Sequence, residues 1–597
     1  MSLPAAGRFR AAGMLVAGAL ALMVGVPARG SLQADAASST VLLRDVRAAT
    51  DRLAATSQAT TPDDYIQPDT QVEPSIAANP NNPDNVVTGY QEGRVAGGGD
   101  ATNGFATTMD GGRTWTYGEV PHLTSYPGQN GPYDRASDAV VAFGTANDVY
   151  YSSLVFSPVS GTGLQSGMAI NVSRDGGHTF GEPVFFADDQ LAGLNDKNWV
   201  VVDNSSAPGH HKGRVYVVWD RIAAVYYDYC DGGCDQLSGW AFGGSFHQLD
   251  LGSPYVTQAI GATPVVLNDG SLAVIFNAAA GGVPTGASSE QTLSSFATAR
   301  LTCVVAPLAG GQPFGTPLVF GPPIQVADNL QSNVRAQRAG TLPSANYEAK
   351  TGTLAVTWED ARFHSEAYPV NDVLVSTSSD GGTTWSAPTK VNPSTTTDNI
   401  DRYNPSISGD GAGGLHVAYR SRLEGANLRD FSASAQMYYQ ESTDSGRTWS
   451  APLQVNTPPN NLYNGAFSRN GTFEGDYNGI ASIGRVSYIV REEAYPVSPG
   501  EPVALVPDPT NPERLTLLDS GKGHQHQQTW VAVVGPPLAA STTSTGPAVA
   551  AAPSPTPSIL PITGTAVGPL RPAPALLVVL LAAFLALPVF RRSGTGR

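Results

Sequence analysis

Nine residues whose chemistry could make a site fall at the starts of first strands in a series of similar units: Glu73, Arg135, Asp138, Asp196, Lys197, Arg338, Arg402, Asp476 and Tyr477. Eight more, Glu92, Asp220, Glu359, Asp360, Arg362, Arg420, Arg491 and Glu492, fall at the ends of second strands. In a chain with only 14% charged residues, a ring of guanidinium and carboxylate groups converging on one face is a candidate site. Ion pairs between units are the competing explanation for any one of them. Paired carboxylates are the currency of glycoside hydrolysis, and Glu73 with Asp476, near the meeting of the first and last units, is such a pair. Two smaller sets could bind metal. His524 and His526 share one strand face without a clear third ligand, and Asp228, Asp231 and Asp235 offer hard oxygen ligands for Ca²⁺ without an EF-hand register.

What must position these residues is legible in a repeat. Thr108-Met109-Asp110-Gly111-Gly112-Arg113-Thr114-Trp115 follows a pattern of hydroxyl, any, Asp, any, Gly, any, Thr, aromatic, and it recurs at Ser173 to Phe180, Ser378 to Trp385 and Ser442 to Trp449. Each position suits a tight turn between strands: the Asp accepts backbone N–H groups of its own turn and the Gly supplies positive φ. The Thr and the aromatic residue open the next strand. Asp110 and Asp175 are 65 residues apart, Asp380 and Asp444 are 64 apart, and the 205 between Asp175 and Asp380 is close to three such steps, so two repeats have lost the motif.

A second recurrence, a short strand, a turn and an apolar strand ending in charge, lays out seven units between residues 72 and 534; merging one weak unit with its neighbour would leave six. The expected fold is all-β, a β-propeller of four-stranded blades, whose closure leaves no free edge. With 65 Gly and 46 Pro in 597 residues, the composition is that of a large turn-rich β domain. A net charge of -16 argues against a nucleic-acid partner, which needs a basic footprint.

The four motifs resemble the Asp box, or BNR repeat, of the sialidase superfamily, over roughly residues 67 to 536. The resemblance implies that the boxes sit on turns away from the active face, with Asp110, Asp175, Asp380 and Asp444 as scaffold. It also implies a hydrolase that clamps a sialic-acid carboxylate with three Arg and uses a Glu-activated Tyr as nucleophile. In this chain the clamp candidates are Arg338, Arg402 and Arg491, with Arg135 and Lys197 as further substrate-binding residues, and the nucleophile candidates are Tyr477 with Glu474 or Asp476. The chain departs from the family at the first blade, where Glu73-Pro74-Ser75 stands in place of Arg-Ile-Pro. The functional expectation is a sialidase-like glycoside hydrolase acting on an extracellular glycan or glycoprotein, with a non-catalytic adhesion propeller as the alternative. No cofactor is required by this reading, Ca²⁺ being the one candidate.

The ends of the chain point outside the cell. Residues 1–36 carry Arg8, Arg10 and an apolar run before small-residue cleavage sites, the pattern of a secretory signal peptide, with an uncleaved anchor as the alternative. In residues 37–66, the stretch 41–57 has apolar positions at helical spacing and predicts a short helix. Residues 67–536 are the propeller, and 537–559 an uncharged Ala/Ser/Thr/Pro stalk. Residues 560–597 contain Leu560-Pro561-Ile562-Thr563-Gly564, an apolar run and Arg591-Arg592. This order resembles the LPxTG sorting signal, which implies a sortase that joins Thr563 to the cell wall; a single transmembrane anchor is the other reading. Either way the membrane is met only through this segment. Cys230 and Cys234 are spaced for a small disulfide loop, which leaves Cys303 over.

Overall fold

The computed structural model describes residues 40–51, 53, 66–159, 163–188, 195–221, 224–249, 259–278, 300–332, 334, 342–365, 370–423, 434–456, 460–468, 471–495, 505–507, 515–517 and 525–537. The expected signal peptide, stalk and sorting segment, and with them Thr563, lie outside these residues, as do Arg338 and His524. Among the described residues no helix is long and apolar enough to cross a membrane.

Seven antiparallel four-stranded units follow one another along the chain. Blade one is Gln71–Asn79, Asn82–Arg94, Asp100–Thr108 and Thr116–Glu119. Blade two, from Arg135–Phe143 to Val184–Phe186, is joined to it by a single pairing, Asp100 with Ala136. Blades three, four and five begin at Asn195–Val202, Ala259–Val266 and Ser344–Glu348. Blade six begins at Ile400–Gly409 and blade seven at Gly479–Ile483. Each first strand packs against the first strand of the next blade, and that of blade seven packs against blade one, so the ring closes as a seven-bladed β-propeller.

The hydrophobic core is divided among the seven blade interfaces. In the second strand of blade three, Val215, Val217 and Trp219 face blade two while Tyr216 and Val218 face blade four. A strand buried on both faces in this way reads as a continuous apolar run. Apolar surface is therefore used up between blades, and the axis where the first strands meet is left to polar side chains.

Ring closure overturns one expectation. Residues 41–47 form a strand, Val41–Arg47, and not a helix. It is the outermost strand of blade seven, pairing from Val41 with Gly535 to Arg47 with Trp530, after Gly479–Ile483, Val486–Ala494 and Gln527–Gly535 from the far end of the chain. Leu42 packs into the blade six–seven core and Leu43 into the seven–one core, so adjacent apolar residues serve opposite faces, as a strand requires.

The four boxes occupy the third-to-fourth-strand turns of blades one, two, five and six. In each, the leading hydroxyl donates to the Asp, and the Thr four residues on donates both its N–H and its hydroxyl to the same carboxylate, at 2.9 and 2.6 Å for Asp444. The second glycine leans on the preceding blade: a Cβ at Gly177 (φ +90) would sit 2.3 Å from Val87 Cγ2. Blade three replaces the box with the Cys230–Cys234 disulfide loop, and blade four with the turn around Ala309–Gly311. Blade seven has no such turn to carry one, because its third and fourth strands come from opposite ends of the chain.

Candidate functional site

The first strand of five blades is interrupted at the same height. Register shifts lie between Val72 and Ser75, Ser137 and Val140, Asp196 and Asn198, Ile260 and Thr263, and Tyr403 and Ser406. Each is a one-residue bulge, which bends the strand and re-aims a side chain. Three bulge residues, Glu73 (φ 51), Asp138 (φ 48) and Asn404 (φ 47), hold a left-handed backbone without being glycine, and blade four uses Gly261 (φ 77). Such conformations cost of order 1–3 kcal/mol each and persist where the surroundings enforce them.

The enforcing contacts come from neighbouring blades. Asp220 Oδ2 accepts the Gly261 N–H at 2.6 Å, Glu359 Oε2 accepts the Asn404 N–H at 2.7 Å, and Glu73 Oε1 accepts the Asp476 N–H at 3.1 Å. From within its own blade, the Gln91 amide donates to the other Glu73 oxygen. Gly475 passes so close that a Cβ there would lie 2.7 Å from Glu73 N.

At the axis these bulges surround Lys197, which is 4% exposed. Its ammonium lies 3.5 Å from the centre of the Tyr477 ring and 4.4 Å from that of Trp199, and the two rings meet edge to face at 6.0 Å. Burial lowers the pKa of Lys197 against the opposing pull of Asp138, Glu73, Asp220 and Asp476, carboxyl groups from blades two, one, three and seven. Burial, reinforced by Glu73 and Asp138, holds the Tyr477 phenol well above its ordinary range. Burial likewise pushes Asp220 and Glu359 well above the usual carboxylate range. Among the described residues, Lys197 Nζ, Tyr477 Oη and Asp220 Oδ1 have no hydrogen-bond partner.

The structure thus gathers Glu73, Asp138, Lys197, Asp476 and Tyr477, and it separates the other candidates. Glu474 accepts the Tyr403 hydroxyl at 2.9 Å and the Asn460 amide and pairs with Arg420 at 3.2 Å, whereas the Tyr477 hydroxyl has no hydrogen-bond partner among the described residues. Arg402 is held by Asp372 at 3.3 Å and Asp398 at 3.1 Å. Arg491 is held by Asp45 at 2.6 Å and Glu493 at 2.5 Å. The two guanidiniums share no partner, and each already has the carboxylates that a substrate acid would have to displace. Arg135 is buried and donates to the Gly98 carbonyl at 2.8 Å.

The metal candidates do not assemble either. Asp231 is bound by Arg214 at 2.5 and 2.7 Å, Asp235 lies against Arg174, and Asp228 is buried in its strand, while His526 pairs with Asp69. Among the described residues no three metal-ligating side chains come together. Trp199 and Asn404 were not singled out in the sequence. The signal for Asn404 was present as a bulge residue followed by Pro-Ser, seen in Glu73-Pro74-Ser75 and again in Asn404-Pro405-Ser406.

No known protein-family model matches the chain, and no curated protein matches its sequence. Solved structures do align with it. The phage phi92 endosialidase is 12% identical, with a TM-score of 0.41 over 83% of this chain and 70% of that one. A protein of unknown function from Dyadobacter fermentans is 10% identical, with a TM-score of 0.38 over 83% and 99%. The NanB sialidase from Streptococcus pneumoniae is 10% identical, with a TM-score of 0.37 over 60% of this chain and 66% of that one. Scores this low carry nothing across; the propeller is established by the strand order and ring closure of this chain itself.

Proposed function

We propose that the propeller is a glycoside hydrolase of the cell exterior, working through Glu73 and Asp476. The observation that carries this reading is that Glu73 of blade one accepts the backbone N–H of Asp476 of blade seven at the axis, both residues bearing on the Lys197–Tyr477 centre. We assign Glu73, 4% exposed, the role of general acid. Asp476, half-buried, is placed as the base or nucleophile. A sialic-acid substrate is disfavoured, because Arg402 and Arg491 are already held by carboxylates of this chain and the centre is lined by carboxyl groups from four blades around one ammonium. Display on the cell surface is supported by the leader and sorting patterns in the sequence and by the Cys230–Cys234 disulfide, which fits an oxidising compartment.

A binding propeller without turnover is the second reading. What favours it is that Glu73, Asp220 and Glu359 each hold a backbone N–H of a neighbouring blade, a role that needs no reaction. Hydrolysis of fluorogenic glycosides of uncharged, amino and acidic sugars by the purified full chain separates the two. We expect turnover that falls at least about 100-fold in Glu73→Gln and Asp476→Asn, the scale of general acid–base catalysis. No turnover on any substrate by folded protein would leave the binding reading. Turnover of a sialoside lost in Tyr477→Phe but kept in Glu73→Gln would restore the sialidase mechanism.

A further inference from the structure

We propose that the axial site takes an uncharged sugar, whose hydroxyls are bridged between the Lys197 ammonium and the surrounding carboxylates while its ring lies on Trp199. This rests on the reading that the site acts on glycans, and it names the class of glycan.

The argument is one of charge and of hydrogen-bond capacity. Carboxyl groups from four blades face a single ammonium, so the centre lacks the cluster of cationic donors that would hold an acidic sugar, and the guanidiniums of Arg402 and Arg491 are engaged elsewhere. A cationic sugar would suit the carboxylates but would set a second ammonium against Lys197, which already covers the face of the Tyr477 ring at 3.5 Å. The groups left without partners decide between what remains. Lys197 Nζ, 4% exposed, is a donor with nothing to donate to among the described residues, and Asp220 Oδ1, 3% exposed, is an acceptor with nothing to accept. Tyr477 Oη, 6% exposed, can do either. Buried polar atoms in this state call for a partner. A hydroxyl accepts from the ammonium and donates to a carboxylate at once, which neither a carboxylate nor an ammonium ligand can do.

Trp199 supplies the remaining part. It is only half-buried, beside the ammonium, and an aromatic ring partly open to solvent can receive the apolar C–H face of a pyranose, as amphipathic rings do at binding sites. Lys197 is thus a specificity-determining residue: the same chain with a neutral side chain there keeps its acids and loses the donor that holds the sugar.

The test uses the full chain and five probes: cellopentaose, mannopentaose and galactotetraose as uncharged sugars, chitosan pentasaccharide as the cationic one and sialyllactose as the acid. Titration calorimetry at low and high salt is expected to show binding confined to an uncharged probe and insensitive to salt, since screening acts on charged partners. Lys197→Met should weaken it about 10- to 100-fold, the scale of a charge-assisted hydrogen bond. Trp199→Ala, a half-buried position, should weaken it as well, and guards against misfolding in the first variant. Preference for sialyllactose or chitosan, binding of an uncharged probe unchanged in both variants, or no binding by folded protein would each overturn the proposal. Binding without hydrolysis would leave it standing and overturn the hydrolase reading. Hydrolysis that does not prefer uncharged glycosides would overturn this proposal alone.

Discussion

Asp444 and its three counterparts show how one residue can organise a turn. Its carboxylate gathers the Ser442 hydroxyl at 2.8 Å and both donors of Thr448, and these bonds outweigh its slight burial to hold its pKa down at about 2. Asp444→Ala removes three acceptor contacts at an exposed turn and is expected to cost about 2 kcal/mol in urea denaturation. Because the box lies at the opposite ends of the strands from the axial site, turnover and sugar affinity should not move; a change in either would mean that the blades transmit the turn to the axis. Cys303 makes a different residue-scale prediction. It is buried under Gly382 of the next blade, 3.0 Å from the Cβ that glycine lacks, and burial pushes its thiol up to about 12. The native chain should therefore be silent toward dithionitrobenzoate and give a single thiol once unfolded in denaturant, since reactivity follows the thiolate. Rapid labelling of the native chain would contradict the packing of blades four and five.

At the scale of elements, the strand Val41–Arg47 is the clasp of the ring, and its hold is electrostatic as well as apolar. Asp45 receives the Arg491 guanidinium at 2.6 and 2.8 Å in a place where Arg491 is fully buried. Asp45→Ala leaves that charge with Glu493 alone, and breaking a buried pair from one side is expected to cost about 3 kcal/mol, read as a shift of the thermal or urea midpoint. A loss of under about 1 kcal/mol would mean that the clasp is held by its ladder and apolar contacts only. The clasp also marks where sequence reasoning stops. The boxes were legible because every bond in them spans four residues or fewer, and the blade count followed from the second recurrence, of short strand, turn and apolar strand. The clasp was not, because a local helical periodicity in 41–57 says nothing of an open strand position next to residues 527–535. The same limit explains the arginines: Arg402 and Arg491 sit at charged strand ends as expected, but their partners Asp372 and Asp45 come from other strands, in the second case from the opposite end of the chain. The bulges at Glu73, Asp138 and Asn404 carry no glycine to announce positive φ, and only the Pro-Ser that follows both Glu73 and Asn404 marked two of them.

For the whole molecule, the propeller's division into dry interfaces and a charged axis sets a pH dependence of stability. Two groups of carboxylates pull in opposite directions. Burial raises Asp100 and Asp228 from 3.8 to about 7 and Glu492 from 4.5 to about 8, in two cases against a neighbouring arginine. A raised carboxyl holds its proton in the folded chain after the unfolded chain has released it, so its contribution is full below about pH 4 and is lost as pH rises toward 7 and 8. The second group is Asp110, Asp410 and Asp444, lowered from 3.8 to about 2 by hydrogen bonds that overcome their partial burial. A lowered carboxyl contributes above 3.8, and that contribution is lost as pH falls toward 2. The two windows meet near the ordinary carboxylate range, so the urea midpoint should be highest at about pH 4 to 5 and decline on both sides. Asp100→Asn, which cannot ionise, should flatten the neutral limb and leave the acid limb alone, while Asp444→Asn should do the reverse. A midpoint that climbs steadily from pH 4 to pH 8 would show that the interior carboxylates ionise without penalty, and so that water reaches the second strands on which Glu492 lies.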